Sequence, residues 1–251
     1  MDDEYKKIIA AEFASCVKNT IARLDNAETH RPFHEALLSK DALFWSRFER
    51  SFSTSFGQKT IERISKIVVD ANGASESQAQ KESIVSLTSS QFKAIEDHIN
   101  LLRNNRSGIR PNWVRDLENI NSTPVSGPKE SLRVISDLWW SKDGINHYVS
   151  IKTVKPNIDQ SAEAKRDLLK LKLFDPNCCV YFGLYYNPFG EKRSDYNWTP
   201  PMGIFDFNND PVVLIGRDYW ETLGGMGVYD EILEIAKRVG QKTSQALLKL
   251  R

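Results

Sequence analysis

The chain has few cysteines, few histidines and almost no excess of charge. Its three cysteines do not have the spacing of a zinc site, and the adjacent Cys178 and Cys179 stand in an apolar run that favours buried, reduced thiols. Pro32 separates His30 from His34, which disfavours a regular turn that could hold zinc. A net charge of +1 excludes a protein that coats DNA through overall basicity, although it permits a local basic cleft.

Long apolar runs are also absent. No stretch is apolar over the length of a bilayer, and the first residues do not have the pattern of a secretion signal. These absences predict a cytoplasmic protein that has no membrane partner. With 251 residues, of which 40% are hydrophobic, the chain can bury a substantial core, and it contains no internal repeat.

Hydrophobic spacing predicts that the first hundred residues are mostly helical. Helices are expected over 4–24, around 61–68 and over 82–103, and the small, polar residues of 71–80 predict a loop. We divide the chain into a helical N-terminal region, 1–50, and a core, 51–251; one continuous domain is the alternative.

Strand-like patterns dominate the middle of the chain. The predicted strands lie at 131–140, 145–154, 178–186, 203–207 and 211–215. Asp143-Gly144, between the first two, predicts a β-hairpin. A helix over 159–174 is expected to begin at Asp159 or Ser161, and a final helix over 229–250. The order of elements predicts an α/β fold with a mixed sheet flanked by helices.

Asp137, Ser150 and Lys152 carry the functional prediction. Alternation along the second hairpin strand places Ser150 and Lys152 on one face, and Asp137 on the preceding strand is an available partner for the lysine charge. A structural ion pair between Lys152 and Asp137 at a sheet edge is the alternative interpretation.

The segment that follows is locally basic. Between Lys152 and Lys172 there are six basic and three acidic residues, and helical phase places Glu163 on one side with Arg166. That side could face a cleft or be a solvated charged surface. The side chains suited to phosphates and base edges, here and in an earlier loop, are Lys155, Asn157, Gln160, Lys165, Arg166, Arg106 and Arg110. Their chemistry favours duplex DNA over a small metabolite.

The pattern of Asp137, a hairpin, Ser150-Ile151-Lys152 and a helix with Glu163 resembles the PD-(D/E)XK core of type II restriction endonucleases. The usual motif has an acidic residue where this chain has Ser150. A subgroup of these enzymes carries the second carboxylate on the helix after the lysine strand, and Glu163, eleven residues after Lys152, resembles that arrangement.

Further segments resemble the TdeIII/MjaII-like restriction endonucleases, namely 153–160, 51–57 and 216–220. The hydroxyls of 51–55 could contact phosphate or cap a helix. The resemblance implies that Asp137, Glu163 and the Ile151 carbonyl bind Mg²⁺.

The resemblance also implies roles for the neighbouring side chains. Lys152 would orient or deprotonate the attacking water, and Ser150 would be a spacer or a water ligand. An early core helix would supply an auxiliary glutamate, for which Glu62 is the candidate, with a surface position as the alternative. Glu130 is the reserve carboxylate.

The function implied is Mg²⁺-dependent, sequence-specific cleavage of double-stranded DNA by a homodimer that is paired with a cognate DNA methyltransferase. Likeness to the MjaII-like group implies a palindromic target of the GGNCC kind. Two alternatives stay open. One is a non-specific or repair-type nuclease of the same fold, and the other is a catalytically inactive DNA-binding module, which Ser150 in place of an acid would favour.

Overall fold

The computed structural model describes residues 1–24, 30–104 and 108–248, and it contains a mixed five-stranded sheet. The strands, in their spatial order, are β1 (Glu76–Thr88), β2 (Lys129–Lys142), β3 (Ile145–Lys152), β4 (Cys179–Leu184) and β5 (Val213–Ile215). β2 pairs antiparallel with β1 and β3, whereas β4 pairs parallel with β3 and β5. The predicted α/β class with a mixed sheet is confirmed.

Helices cover both faces of the sheet. They are α1 (Asp3–Leu24), α2 (Pro32–Leu37), α3 (Lys40–Ser55), α4 (Ile61–Ala71), α5 (Ser89–Asn104), α6 (Trp113–Asn121), α7 (Ile158–Phe174), α8 (Arg217–Gly224) and α9 (Val228–Leu248). A π-helical turn, Phe56–Thr60, joins α3 to α4, and short 3-10 turns lie at Arg193–Asp195 and Pro200–Gly203. In the described ranges, no helix has the length and apolar character needed to span a membrane.

The sheet separates two hydrophobic clusters. One cluster contains Ile99 of α5, Trp113 of α6 and Leu168 of α7. The other contains Ile9 of α1 and Ile64 of α4, together with residues of α8 and α9. This three-layer arrangement buries β5, most of β4 and the inner residues of β3, whereas most of β1 and the first half of β2 are exposed or half-buried. α1 packs against α9, and the predicted boundary between 50 and 51 falls inside α3.

The local signals around the central hairpin are confirmed. Asp143 and Gly144 both have positive φ, at 52° and 76°, as a type I′ hairpin turn requires. α7 begins one residue before the predicted start, because the side chains of Asn157 and Gln160 form a reciprocal capping box.

The prediction for 71–103 is wrong in its first half. Residues 76–88 form β1, and only 89–104 are helical. A helical pattern was inferred from apolar spacing, but the partner strand decides the structure here. β1 pairs with β2 from Glu76↔Ser141 to Thr88↔Lys129, and cross-strand pairing overrides a local propensity.

The region after β4 also differs from its prediction. Residues 203–207 do not form a strand, and Phe205 and Phe207 fill the core beside Phe182. The second predicted strand is shortened to Val213–Ile215, and α8 forms where no helix was predicted. Pro200 and Pro201, which cannot donate a ladder hydrogen bond, precede this segment in a 3-10 turn.

An ion pair is buried beneath α7. The Lys165 ammonium donates to the Asp116 carboxylate and, at 2.7 Å, to the Ile204 carbonyl oxygen, and both charged side chains are at most 1% exposed. His98 Nε2 lies 3.1 Å from the other Asp116 oxygen. Burial would raise the pKa of Asp116, but the adjacent His98 imidazole and the Lys165 charge outweigh it and lower the pKa. The pair joins α6, α7 and the loop before β5.

We expect Asp116→Asn to lower the free energy of unfolding by about 3–5 kcal/mol, because it removes the carboxylate that is hydrogen bonded to the buried Lys165 ammonium. The double variant Asp116→Asn/Lys165→Met, which removes both charges, should be less destabilised than the single variant. Urea unfolding followed by circular dichroism measures both. Equal or greater loss in the double variant would contradict this account.

Candidate active site

Asp137 and Lys152 meet where β2 and β3 separate. The paired register of these strands runs from Lys142↔Ile145 to Leu138↔Val149 and stops before Asp137. Beyond that point Asp137 Oδ2 accepts a hydrogen bond from the Ile151 N–H at 2.7 Å and lies 3.7 Å from Lys152 Nζ. The Lys152 and Asp137 side chains are 22% and 21% exposed. The carboxylate therefore occupies the fork between the two strands.

β1 contributes Gln80 to the other side of this fork. Gln80 has a φ of 51°, and the register pairs Ala79↔Leu138 and Lys81↔Ser136 lie on either side of it. Its Nε2 donates to Asp137 Oδ1 at 3.2 Å and to Glu62 Oε2 at 3.0 Å. Positive φ is uncommon for a residue other than glycine and is found preferentially at functional sites. One amide thus connects two carboxylates.

Glu62 reaches this amide from the first turn of α4. Burial raises its pKa, and the Asp137 charge adds to the effect, whereas the Gln80 hydrogen bond and the Lys152 charge oppose it. One turn further along α4, the buried Ser65 hydroxyl lies 2.7 Å from the hydroxyl of Tyr219. The structure therefore brings the auxiliary glutamate of the sequence analysis to Asp137 and anchors its helix to α8.

The regular alternation of β2 is broken at the same place. Val134 and Trp139 belong to one hydrophobic cluster, although they are five residues apart and a regular strand would place them on opposite faces. Leu138 and Trp140 belong to the other cluster. The irregularity lies between Val134 and Leu138, so the sheet is distorted next to Asp137.

The other predicted carboxylates, Glu163 and Glu130, make no hydrogen bond or ion pair with Asp137, Gln80, Glu62 or Lys152 in the described part of the chain. Glu163 is exposed on α7, and across the described ranges no three His, Cys, Asp or Glu side chains are grouped so that they could hold a metal ion. Glu163 therefore does not form such a group with Glu62 and Asp137. Glu130 is seven residues from Asp137 along β2, roughly 23 Å in an extended strand, too far to share an ion. Ser150 is half-buried on β3.

The predicted DNA-contacting residues near α7 are divided. Lys155, Asn157 and Gln160 are exposed, but the last two are hydrogen bonded to each other's backbone in the cap. Lys155 Nζ lies 5.1 Å from the ring centre of Phe189 and 5.6 Å from that of Trp198. These residues form a surface at the start of α7.

One predicted contact is corrected by the structure. Lys165 is fully buried in its pair with Asp116, so it cannot reach DNA. The face of α7 that carries Lys165 packs against the protein interior and is not exposed to solvent. Arg166 contacts Glu96 of α5 at 2.6 Å and is 21% exposed. Arg110 is exposed before α6, and Arg106 lies outside the described residues.

The donor set of the fork suits a hard divalent cation. The Glu62 and Asp137 carboxylates face the same amide nitrogen, and the Ile151 peptide group adjoins them. Oxygen ligands of this kind are what Mg²⁺ prefers. The Gln80 amide, a neutral hydrogen-bond donor, lies between the carboxylates of Glu62 and Asp137.

Comparison with known proteins identifies the family. The family model described as type II restriction endonuclease, HinfI, matches residues 1–240. The chain belongs to the HinfI family of type II restriction endonucleases. The type II restriction enzyme HgiEI of Herpetosiphon aurantiacus is 30% identical over 215 residues, which cover 84% of this chain and 77% of the relative. HgiCII of the same organism is 29% identical over 243 residues, 93% and 86% of the two chains. No solved structure gives a significant match.

Membership of the HinfI family confirms the prediction of a restriction enzyme. The chain is a site-specific deoxyribonuclease, a hydrolase whose substrate is DNA, and its mixed sheet is consistent with the restriction-endonuclease fold. An inactive DNA-binding module is therefore the wrong alternative.

Gln80 is the residue of this fork that the sequence pattern did not indicate. It lies at the end of a segment that was predicted to be a loop. No local signal distinguishes it from Gln78 or Gln91, because its role depends on a backbone distortion inside a paired strand.

Gln80→Ala should lower the free energy of unfolding in EDTA by about 1–3 kcal/mol, since it removes the N–H groups between two half-buried carboxylates. The matched control is Gln78→Ala, which truncates an exposed glutamine of the same strand. Urea unfolding of both variants tests the bridge. An identical loss in the two variants would show that the bridge contributes no stability.

Proposed function

We propose that this enzyme hydrolyses the phosphodiester bonds of double-stranded DNA at the fork of β2 and β3, with Mg²⁺ as cofactor. The observation that supports this proposal most is the convergence of Glu62, Asp137 and Lys152 from three elements, with Gln80 between the carboxylates. Membership of a restriction-enzyme family supplies the substrate class.

Glu62 and Asp137 are the proposed Mg²⁺ ligands, together with the Ile151 carbonyl. When bound, the cation would acidify an attacking water and offset charge on the phosphate. The Gln80 side chain, whose nitrogen and oxygen can exchange places by rotation, could turn its oxygen toward the same position. We assign no metal role to Glu130.

Lys152 is the proposed proton-handling and charge-stabilising group. Its ammonium is next to Asp137 and only partly exposed, so it can hold the attacking water in place and stabilise charge that develops on the phosphate. Ser150 precedes it by two residues and has no carboxylate, so it would act as a spacer or hold a water molecule.

Two glutamates compete for the second carboxylate. The sequence pattern favours Glu163, whereas the hydrogen-bonded position favours Glu62. Glu163 is exposed, so its substitution should not disturb folding, and the two positions can be compared directly.

We expect Asp137→Ala and Lys152→Ala each to reduce DNA cleavage at least about a hundredfold, because each removes a charge that acts on the reacting phosphate. DNA binding, measured in EDTA by fluorescence anisotropy, should persist. Cleavage of phage DNA by either variant at the wild-type rate would refute the proposed site.

Glu62→Gln should reduce cleavage and weaken Mg²⁺ binding measured by calorimetry, whereas Glu163→Gln should leave both close to wild type. The two substitutions have the same chemistry, so the comparison is matched. The opposite result would assign the second carboxylate to α7.

The remaining proposals concern specificity and assembly. We propose a homodimer, because cutting both strands of a palindromic site calls for two related active sites. We propose a target of the GGNCC kind and protection by a cognate DNA methyltransferase. Sequenced fragment ends test the target, sedimentation equilibrium tests the dimer, and cleavage of methylated DNA tests the protection.

A further inference from the structure

A groove of about 790 Å³ lies between α1, α3 and the start of α4. Its cationic lining residues are Arg23, Arg31, Arg47, Arg50, Lys59 and Arg63. Among the described residues that line it, only Glu12 is acidic. In a chain of net charge +1, this is a strong local concentration of positive charge.

The contacts of Arg63 and Arg23 remove little of the positive charge of the groove. Glu12 Oε2 lies 3.4 Å from Arg63 Nη1 and offsets one charge. Arg23 donates to the hydroxyls of Ser51 at 3.3 Å and Ser55 at 2.6 Å, which are neutral and do not offset its charge. Ser51 and Ser55 lie within α3, whose N-cap is Ser39, so these hydroxyls do not cap a helix.

α4 connects this groove to the proposed active site. Lys59 and Arg63 line the groove, and Glu62, the neighbour of Arg63, contacts Gln80 at the fork. Successive side chains of a helix about 10–12 Å in diameter point about 100° apart, so the two sites share α4 as a wall. The π-helical turn Phe56–Thr60 lies where the groove meets α4, and π turns are frequent at functional sites.

We propose that this arginine groove binds the phosphate backbone of duplex DNA flanking the bond that is cut. The inference rests on the proposed function. Arginine forms paired hydrogen bonds with phosphate oxygens. Serine hydroxyls such as those of Ser51 and Ser55, which accept from Arg23, can donate their own protons to the same groups. The six cations come from α1, α3, α4, the π-helical turn and the residue before α2. They exceed what one small anion needs, whereas duplex DNA presents one charge per roughly 1.7 Å of its axis.

From its position, the groove would orient the bound DNA relative to the proposed active site. Phosphate contacts fix the register of a protein on DNA without reading its sequence. A backbone held along α3 and α4 would enter the fork next to Glu62. The groove should therefore contribute equally to binding of any DNA sequence.

The test uses Arg50→Gln/Lys59→Gln, a double variant of two exposed groove residues. The matched control is Lys237→Gln/Arg238→Gln, which removes two exposed charges from α9. Binding of a fluorescein-labelled 30-base-pair duplex of random sequence is measured in EDTA over a series of NaCl concentrations. Urea unfolding verifies that both variants are folded.

The slope of log K against log[NaCl] should become shallower by about 1.8 in the groove variant, which loses two phosphate contacts, and should not change in the control. An unchanged slope in the groove variant, or an equal change in the control, would overturn the proposal. Asp137→Ala in the same assay should keep the wild-type slope. Cleavage is measured separately, with Mg²⁺ present. If Asp137→Ala cleaved DNA at the wild-type rate while the groove variant had the shallower slope, the proposed active site would be refuted and the proposed DNA-binding groove would be supported.

Discussion

The fold converges on the carboxylate of Asp137. One oxygen accepts from the Ile151 N–H beside Lys152, and the other accepts from Gln80, which also holds Glu62. A single side chain thus joins β1, β2, β3 and α4. Catalytic groups must be held closely in their productive geometry. The sheet holds the proposed catalytic groups, because the hydrogen bonds of Asp137 take the place of ladder pairing where β2 and β3 separate.

The charges around Asp137 are not arranged for greatest stability. Burial raises the pKa of Glu62, and a second carboxylate nearby adds to the effect. Gln80 pairs with both acids from a backbone conformation that most residues avoid. Two neighbouring carboxylates and a residue with positive φ lower the stability of the fold, but they create a negative surface that can attract a cation. Destabilising arrangements of this kind are expected at functional positions. This arrangement supports the proposed metal site.

Lys165 and Lys152 show how environment separates a structural lysine from a candidate functional one. Lys165 is fully buried, and its ammonium is satisfied by Asp116 and the Ile204 carbonyl. Lys152 is 22% exposed and lies 3.7 Å from Asp137, at a distance that leaves its donors available to another group. Lys165 connects α7 to α6 and to the loop before β5. Lys152 stands at the edge of the sheet, where a phosphate could reach it.

The features that could be predicted from the sequence alone are those that depend on near neighbours along the chain. Period-two alternation and the Asp143-Gly144 turn predict the hairpin that brings Asp137 close to Lys152, fifteen residues later, and the same pattern resembles the enzyme class that the comparisons confirm. Three other features became visible only in the folded chain: Gln80 and Glu62 join Asp137, residues 76–88 form a strand, and Lys165 is buried. These outcomes depend on partners distant in sequence, such as Gln80 and Asp137 at 57 residues or Asp116 and Lys165 at 49, whose approach no local pattern encodes.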